Sequence, residues 1–87
     1  MSKHRRPEVD TRLAKIEGHV RAIRKMLQEG RTYPEIVHQV AAVRASLDGV
    51  IEVVVDDLVE DCVSSAKKGF SASDPVLELQ QVVASIR

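Results

Sequence analysis

The stretch TYPEIVHQVAAVRASLDGVIEVVVDDLVEDCVSSAK, residues 32–67, decides the fold. Its opening Thr32-Tyr33-Pro34-Glu35 has the capping-box spacing. The Thr32 hydroxyl and the Glu35 carboxylate can each satisfy a backbone amide that the first helical turn leaves open, and Pro34 is tolerated in that turn. From there Ile36, Val40, Val43, Leu47, Val50, Val54 and Leu58 recur at helical spacing, and no proline intervenes before Gly69. A helix from Tyr33 to Lys67 is about 50 Å long at 1.5 Å per residue.

Upstream, Asp10 or Thr11 is placed to cap a first helix that runs to Gln28. Its Leu13, Ile16, Val20, Ile23 and Leu27 alternate spacings of three and four, a coiled-coil-like seam. Gly30 then supplies a left-handed stop. The polar start, Met1 to Glu8 with Lys3, His4, Arg5 and Arg6, has no apolar period and reads as a mobile arm. The expected division is a flexible basic arm over 1–9 and one helical domain over 10–87. Downstream, Phe70-Ser71-Ala72-Ser73 reads as a loop, Asp74 as an N-cap and Pro75 as the first helical residue, with Val76, Leu79, Val83 and Ile86 along a short third helix. No strand or repeat is expected.

These lengths do not match. The first helix is about half as long as the second and the third covers only its far end, so much of the central apolar stripe has no partner within the chain. A domain of 87 residues buries only about 60 to 65% of the surface its unfolded chain exposes. A second copy would complete the core. With only Tyr33 and Phe70 aromatic, that core is built from Val, Ile, Leu, Ala and Met. No apolar run approaches the roughly 20 residues that span a bilayer, and no signal peptide is evident, so a cytoplasmic protein without membrane contact is expected. The single cysteine, Cys62, excludes an intrachain disulfide and leaves a thiol that a reducing compartment keeps free.

The net charge of zero hides an asymmetry: residues 1–44 carry ten Lys/Arg against five Asp/Glu, and residues 45–87 carry three against eight. A polyanion-binding half is one reading, and attraction between complementary halves of neighbouring subunits is the other. At 100° per residue, Arg12, Lys15 and His19 flank one side of the first helix's apolar stripe. Arg21, Arg24 and Lys25 flank the other, and Arg44 sits at the stripe's edge on the central helix. Such groups bind phosphates and guanine edges, or are simply solvated. His4, His19 and His38 have no paired metal-ligand spacing, and His38 projects away from the stripe. The cluster Asp56, Asp57, Glu60 and Asp61 has the oxygen ligands for a hard cation, but on an exposed helix face such a run is more often solvated or paired with a neighbour's cations.

Tyr33 and Cys62 are 29 residues apart, eight helical turns, so they point the same way about 43 Å from each other. Two antiparallel copies crossing near Asp48 and Gly49, where the missing side chain permits close approach, would set Tyr33 of one near Cys62 of the other.

Two stretches, Arg12-Leu13-Ala14-Lys15-Ile16-Glu17-Gly18-His19-Val20-Arg21-Ala22-Ile23 and Gln39-Val40-Ala41-Ala42-Val43-Arg44-Ala45-Ser46-Leu47-Asp48, resemble the CsoR/RcnR/FrmR family of bacterial repressors. That family carries R-L-x-R-I-E-G-Q-V-R-G-I followed by Q-I-A-A-V-R, and the resemblance extends ungapped from Arg12 to about Val63. It implies an all-α chain of three helices, an antiparallel dimer forming a four-helix bundle, and a dimer of dimers. It also implies a repressor that holds operator DNA until an inducer is sensed. The family's arginines at the positions of Arg12 and Arg44 lie on its DNA-binding face, and Lys15, Arg21, Arg24 and Lys25 are expected to extend that face here.

The same resemblance points to a sensing site at Tyr33, Leu58 and Cys62, where the family has a cysteine, a histidine and a cysteine. Copper(I) selection needs soft thiolate or imidazole donors, which a phenol and an aliphatic side chain do not supply. A transition metal ion held through Cys62 stays a candidate cofactor, beside a modifiable thiol and a merely packed cysteine. The sequence has no helix-turn-helix signature, so DNA would meet a flat basic face made by several subunits. It pairs no nucleophile with a base and has no phosphate-binding glycine loop, so no enzyme is expected. The alternative function is an oligomeric helical interaction module that has lost DNA binding and metal sensing.

Overall fold

The computed structural model describes residues 6–67 and 73–86, which form α1 (Arg6–Gln28), α2 (Tyr33–Lys67) and α3 (Ser73–Ser85). The order and the long central element are those expected, and no strand occurs among the described residues. Of the expected loop over 70–73, residues 70–72 lie outside them, as do residues 1–5 of the arm, whereas Ser73 and the expected cap Asp74 already belong to α3.

The first helix starts at Arg6 and not at Asp10 or Thr11. Pro7 presets its φ in the first turn and Glu8 places a negative charge at the positive end of the helix dipole. The Thr11 hydroxyl donates to the Pro7 carbonyl at 2.9 Å, an interior helical bond and not a cap. Val9 is buried, which draws this turn out of the arm and into the folded domain.

At the other end of α1, Gly30 has φ of 73°, the Arg31 amide donates to the Met26 carbonyl at 3.1 Å, and the Gly30 amide donates to Leu27 at 3.2 Å. This is the Schellman pair, which closes the helix at the one residue type that takes that backbone shape without strain. Two residues later the Glu35 amide donates to Thr32 Oγ1 at 3.4 Å, so half of the expected capping box is formed. The Glu35 carboxylate is turned to Arg31, 3.7 Å from its guanidinium. The two helices therefore reverse within Glu29–Thr32 and pack antiparallel.

Among the described residues α2 touches both other helices, and α1 and α3 do not touch each other. Ile23 and Val43 anchor the contact with α1, and buried Leu58 lies where α3 covers the C-terminal half of α2. Asp57, expected on an exposed acidic face, is fully buried in that half, between Val53 one turn before it and Leu58 after it. Asp56 and Glu60 remain exposed.

The Cα envelope measures 59 × 26 × 12 Å, so the chain is a slab about one helix thick. One layer of helices cannot cover its own faces. Val37 (66% exposed), Val40 (51%), Leu47 and Ile51 lie open along α2, and Leu13, Val20 and Leu27 (61%) along α1.

Candidate nucleic-acid interface and sensing positions

Of the basic side chains singled out in the sequence, Arg12, Lys15 and His19 stand on one side of α1. They line an open groove of about 850 Å³ whose α2 wall is Ala45, Ser46 and Gly49. Arg12 Nη2 lies 3.4 Å from Glu8 Oε1, one turn earlier, with both side chains about half exposed. An ion pair this open to water contributes roughly 0 to 1 kcal/mol, too little to keep Arg12 from a phosphate. The other guanidinium nitrogen reaches α2: a Cβ added at Gly49 would lie 3.4 Å from Arg12 Nη1. Gly49 thus faces Arg12 of its own chain. It stands on the groove side of α2.

His19 Nε2 is 2.7 Å from Gln39 Oε1, a half-buried contact across the two helices. Sequence pattern makes His19 only a polar-face residue. Its partner is twenty positions away, and only the hairpin register brings the two together. The Glu8–Arg12 pair escapes the sequence reading although its i,i+4 spacing is a readable signal, because Glu8 falls within the expected arm.

The remaining cations do not join this groove. Arg21, Arg24 and Lys25 share the outer surface of α1 with Gly18, Ala22 and Gln28. Arg44 lies with Ile36, Val37, Val40 and Ala41 on the apolar side of α2. It precedes Ser46 by two residues, or about 200° of helix rotation, which accounts for their opposite placements. A single chain therefore presents the six expected DNA-binding residues Arg12, Lys15, Arg21, Arg24, Lys25 and Arg44 as three separate groups.

The three sensing positions are likewise apart. Tyr33 is the first residue of α2 and 89% exposed, whereas Leu58 is 6% exposed and Cys62, one turn further on, is half-buried. Along a single helix, Tyr33 and Cys62 are about 43 Å apart. Beside Leu58 and Val54, the α3 residues Glu78, Gln81, Val82 and Ser85 border a cleft of about 350 Å³. Leu58 has no donor atom, so the packing that buries it replaces ligation by apolar contact at that position. A soft-donor site built from these three residues does not fit a copper or nickel ion, since Cys62 alone supplies a soft ligand.

A family described as metal-sensitive transcriptional repressor matches residues 5–86 of the chain. Over 81 residues the sequence is 31% identical to the copper-sensing transcriptional repressor CsoR of Bacillus subtilis (strain 168), an alignment that spans 93% of this chain and 80% of that protein. The fold is similar to the solved structure of the nickel-responsive transcriptional regulator InrS, with a TM-score of 0.86 and 33% identity over 100% of this chain and 98% of the other. None of the three describes an enzyme. No helix among the described residues is long and apolar enough to cross a membrane.

Proposed function

The chain belongs to the metal-sensitive transcriptional repressors, and from that premise we propose that it binds operator DNA as a homotetramer, a dimer of dimers, and releases it when an effector is sensed near Cys62 and Tyr33 at a subunit interface. The observation that carries this reading is the open apolar face of a slab one helix thick, with basic groups on both sides of it. Antiparallel pairing of two such faces into a four-helix bundle buries Val37, Val40, Leu47 and Ile51. It also sets Tyr33 of one copy beside Leu58 and Cys62 of the other. Assembly joins Arg12, Lys15, Arg21, Arg24, Lys25 and Arg44 of several copies into one cationic surface for phosphates.

The effector acts through the Cys62 thiol, by modification or by a metal ion that draws its other ligands from outside the Tyr33–Leu58–Cys62 set. The copper and nickel in the relatives' names do not carry over, because Leu58 cannot ligate. To dissociate the complex, the effector must favour the DNA-free arrangement by a coupling of about 1 to 3 kcal/mol.

A mobility-shift titration on the chain's own promoter tests the reading. Binding at low salt is expected, with the double substitution Arg12→Ala and Arg44→Ala raising Kd roughly tenfold or more, since each copy of the assembly loses two cations. Unchanged affinity in that variant, or no binding by the parent protein, would reject it.

A further inference from the structure

We infer that His19 is a phosphate contact of the groove between α1 and α2, and that its ring takes up a proton as the phosphate docks. This rests on the DNA-binding reading above and assigns it a residue and a pH dependence. Positions 12, 15 and 19 follow the i, i+3, i+7 rule of one helix side, and all three side chains line the groove. Arg12 and Lys15 are permanently charged there. Among the residues that line the groove, His19 alone carries an imidazole, the side-chain type suited to exchanging a proton near neutral pH.

The hydrogen bond to Gln39 determines what a neutral ring can offer. With Gln39 Oε1 as acceptor at 2.7 Å, Nε2 carries the hydrogen, and Nδ1 of the neutral ring then bears only a lone pair. That nitrogen repels a phosphate oxygen. One proton from solvent makes Nδ1 a donor and the ring a cation, while the bond to Gln39 stays intact, so the tether does not oppose the change.

The charges around the ring decide when the proton arrives. From α1 the groove holds Glu8, Arg12 and Lys15, with Glu8 turned to Arg12 at 3.4 Å. From α2 it holds Ala45, Ser46 and Gly49, and the ring's own partner is Gln39, none of them ionisable. A docked phosphodiester brings a negative charge beside the ring and makes its charged form more favourable than it is in the empty groove. Proton uptake and docking are therefore coupled, and operator affinity rises as pH falls.

The test is fluorescence anisotropy of a labelled promoter duplex at fixed ionic strength, from about pH 8 down to about pH 6, across the imidazole range. For the parent protein Kd is expected to fall as the pH is lowered, by at most about tenfold per pH unit for each engaged groove, the limit that one linked proton sets. His19→Gln keeps a partner for Gln39 and cannot be charged, so its profile should be flat across the same range. A flat parent profile, or an equal slope in His19→Gln, overturns the inference and leaves the DNA reading standing. If the duplex does not bind at any pH, the DNA reading falls. The groove is then judged by titrating the His19 ring by NMR with and without inorganic phosphate. Titration moved to higher pH by phosphate supports the proton-linked site, and titration unmoved by it ends the inference.

Discussion

At the scale of single residues, Gly18 and Gly30 are chemically identical and physically opposite. Gly30 sits at φ of 73°, where a side chain is strained whatever space surrounds it. Gly18 is in the middle of α1, exposed, and a methyl group added there would meet nothing within 4 Å. Gly30→Ala should destabilise the fold by about 1 kcal/mol, whereas Gly18→Ala should stabilise it by roughly 0.5 to 1 kcal/mol through helix propensity alone. Denaturant midpoints of the two variants, measured at one protein concentration, check the opposite signs. The stop at Gly30 was legible in the sequence, because a glycine directly after an apolar period has few other uses. The start at Arg6 was not, since Pro7 and Glu8 announce a first turn only once Val9 is known to be buried.

At the scale of elements, α2 follows its sequence pattern from end to end, Tyr33 to Lys67. A 3.6-residue period sustained over that length, with a threonine cap and no interior proline, leaves few competing structures. Which side of the helix meets which neighbour is a different matter. The stripe is divided: Val43 is buried, as is Ile23 on α1, whereas Val37, Val40, Leu47 and Ile51 are left outward. Burying an apolar side chain of this size is worth about 1.5 to 3 kcal/mol, and a carboxylate there reverses the sign. The substitution Val40→Glu should therefore weaken self-association by at least about tenfold. Light scattering across a dilution series would detect the fall in mass. A mass equal to that of the parent protein would remove Val40 from the interface. The acidic run shows the limit of the same pattern logic, because its charge predicts an exposed Asp57 and the folded chain buries it fully.

At the scale of the whole molecule, a slab 12 Å thick has very little interior. Its stability should then depend on how many copies are present, since association couples to folding by mass action. A tenfold rise in protein concentration is expected to raise Tm by about 2 to 4 °C, measured by circular dichroism at the two concentrations. A constant Tm would mean that the single chain is stable by itself. The interface and the sensing positions belong to this scale as well. Tyr33 and Cys62 stand at opposite ends of one helix, and the six cations fall into three groups, so a single chain brings neither set together.

Sequence alone determined the three helices, the length of the central one, the glycine stop before it and the unsatisfied apolar stripe along it. All of these follow from local period, capping chemistry and length, which act between near neighbours in the chain. It also determined that Leu58 cannot be a metal ligand, since that depends only on atom type. Tertiary structure decided the early start of α1, the burial of Asp57, the meeting of Gly49 with Arg12 and the hydrogen bond from His19 to Gln39. Each depends on the rotation and register of one helix against another. Side-chain packing across the α1–α2 hairpin and against α3 sets those, and no run of neighbouring residues encodes them.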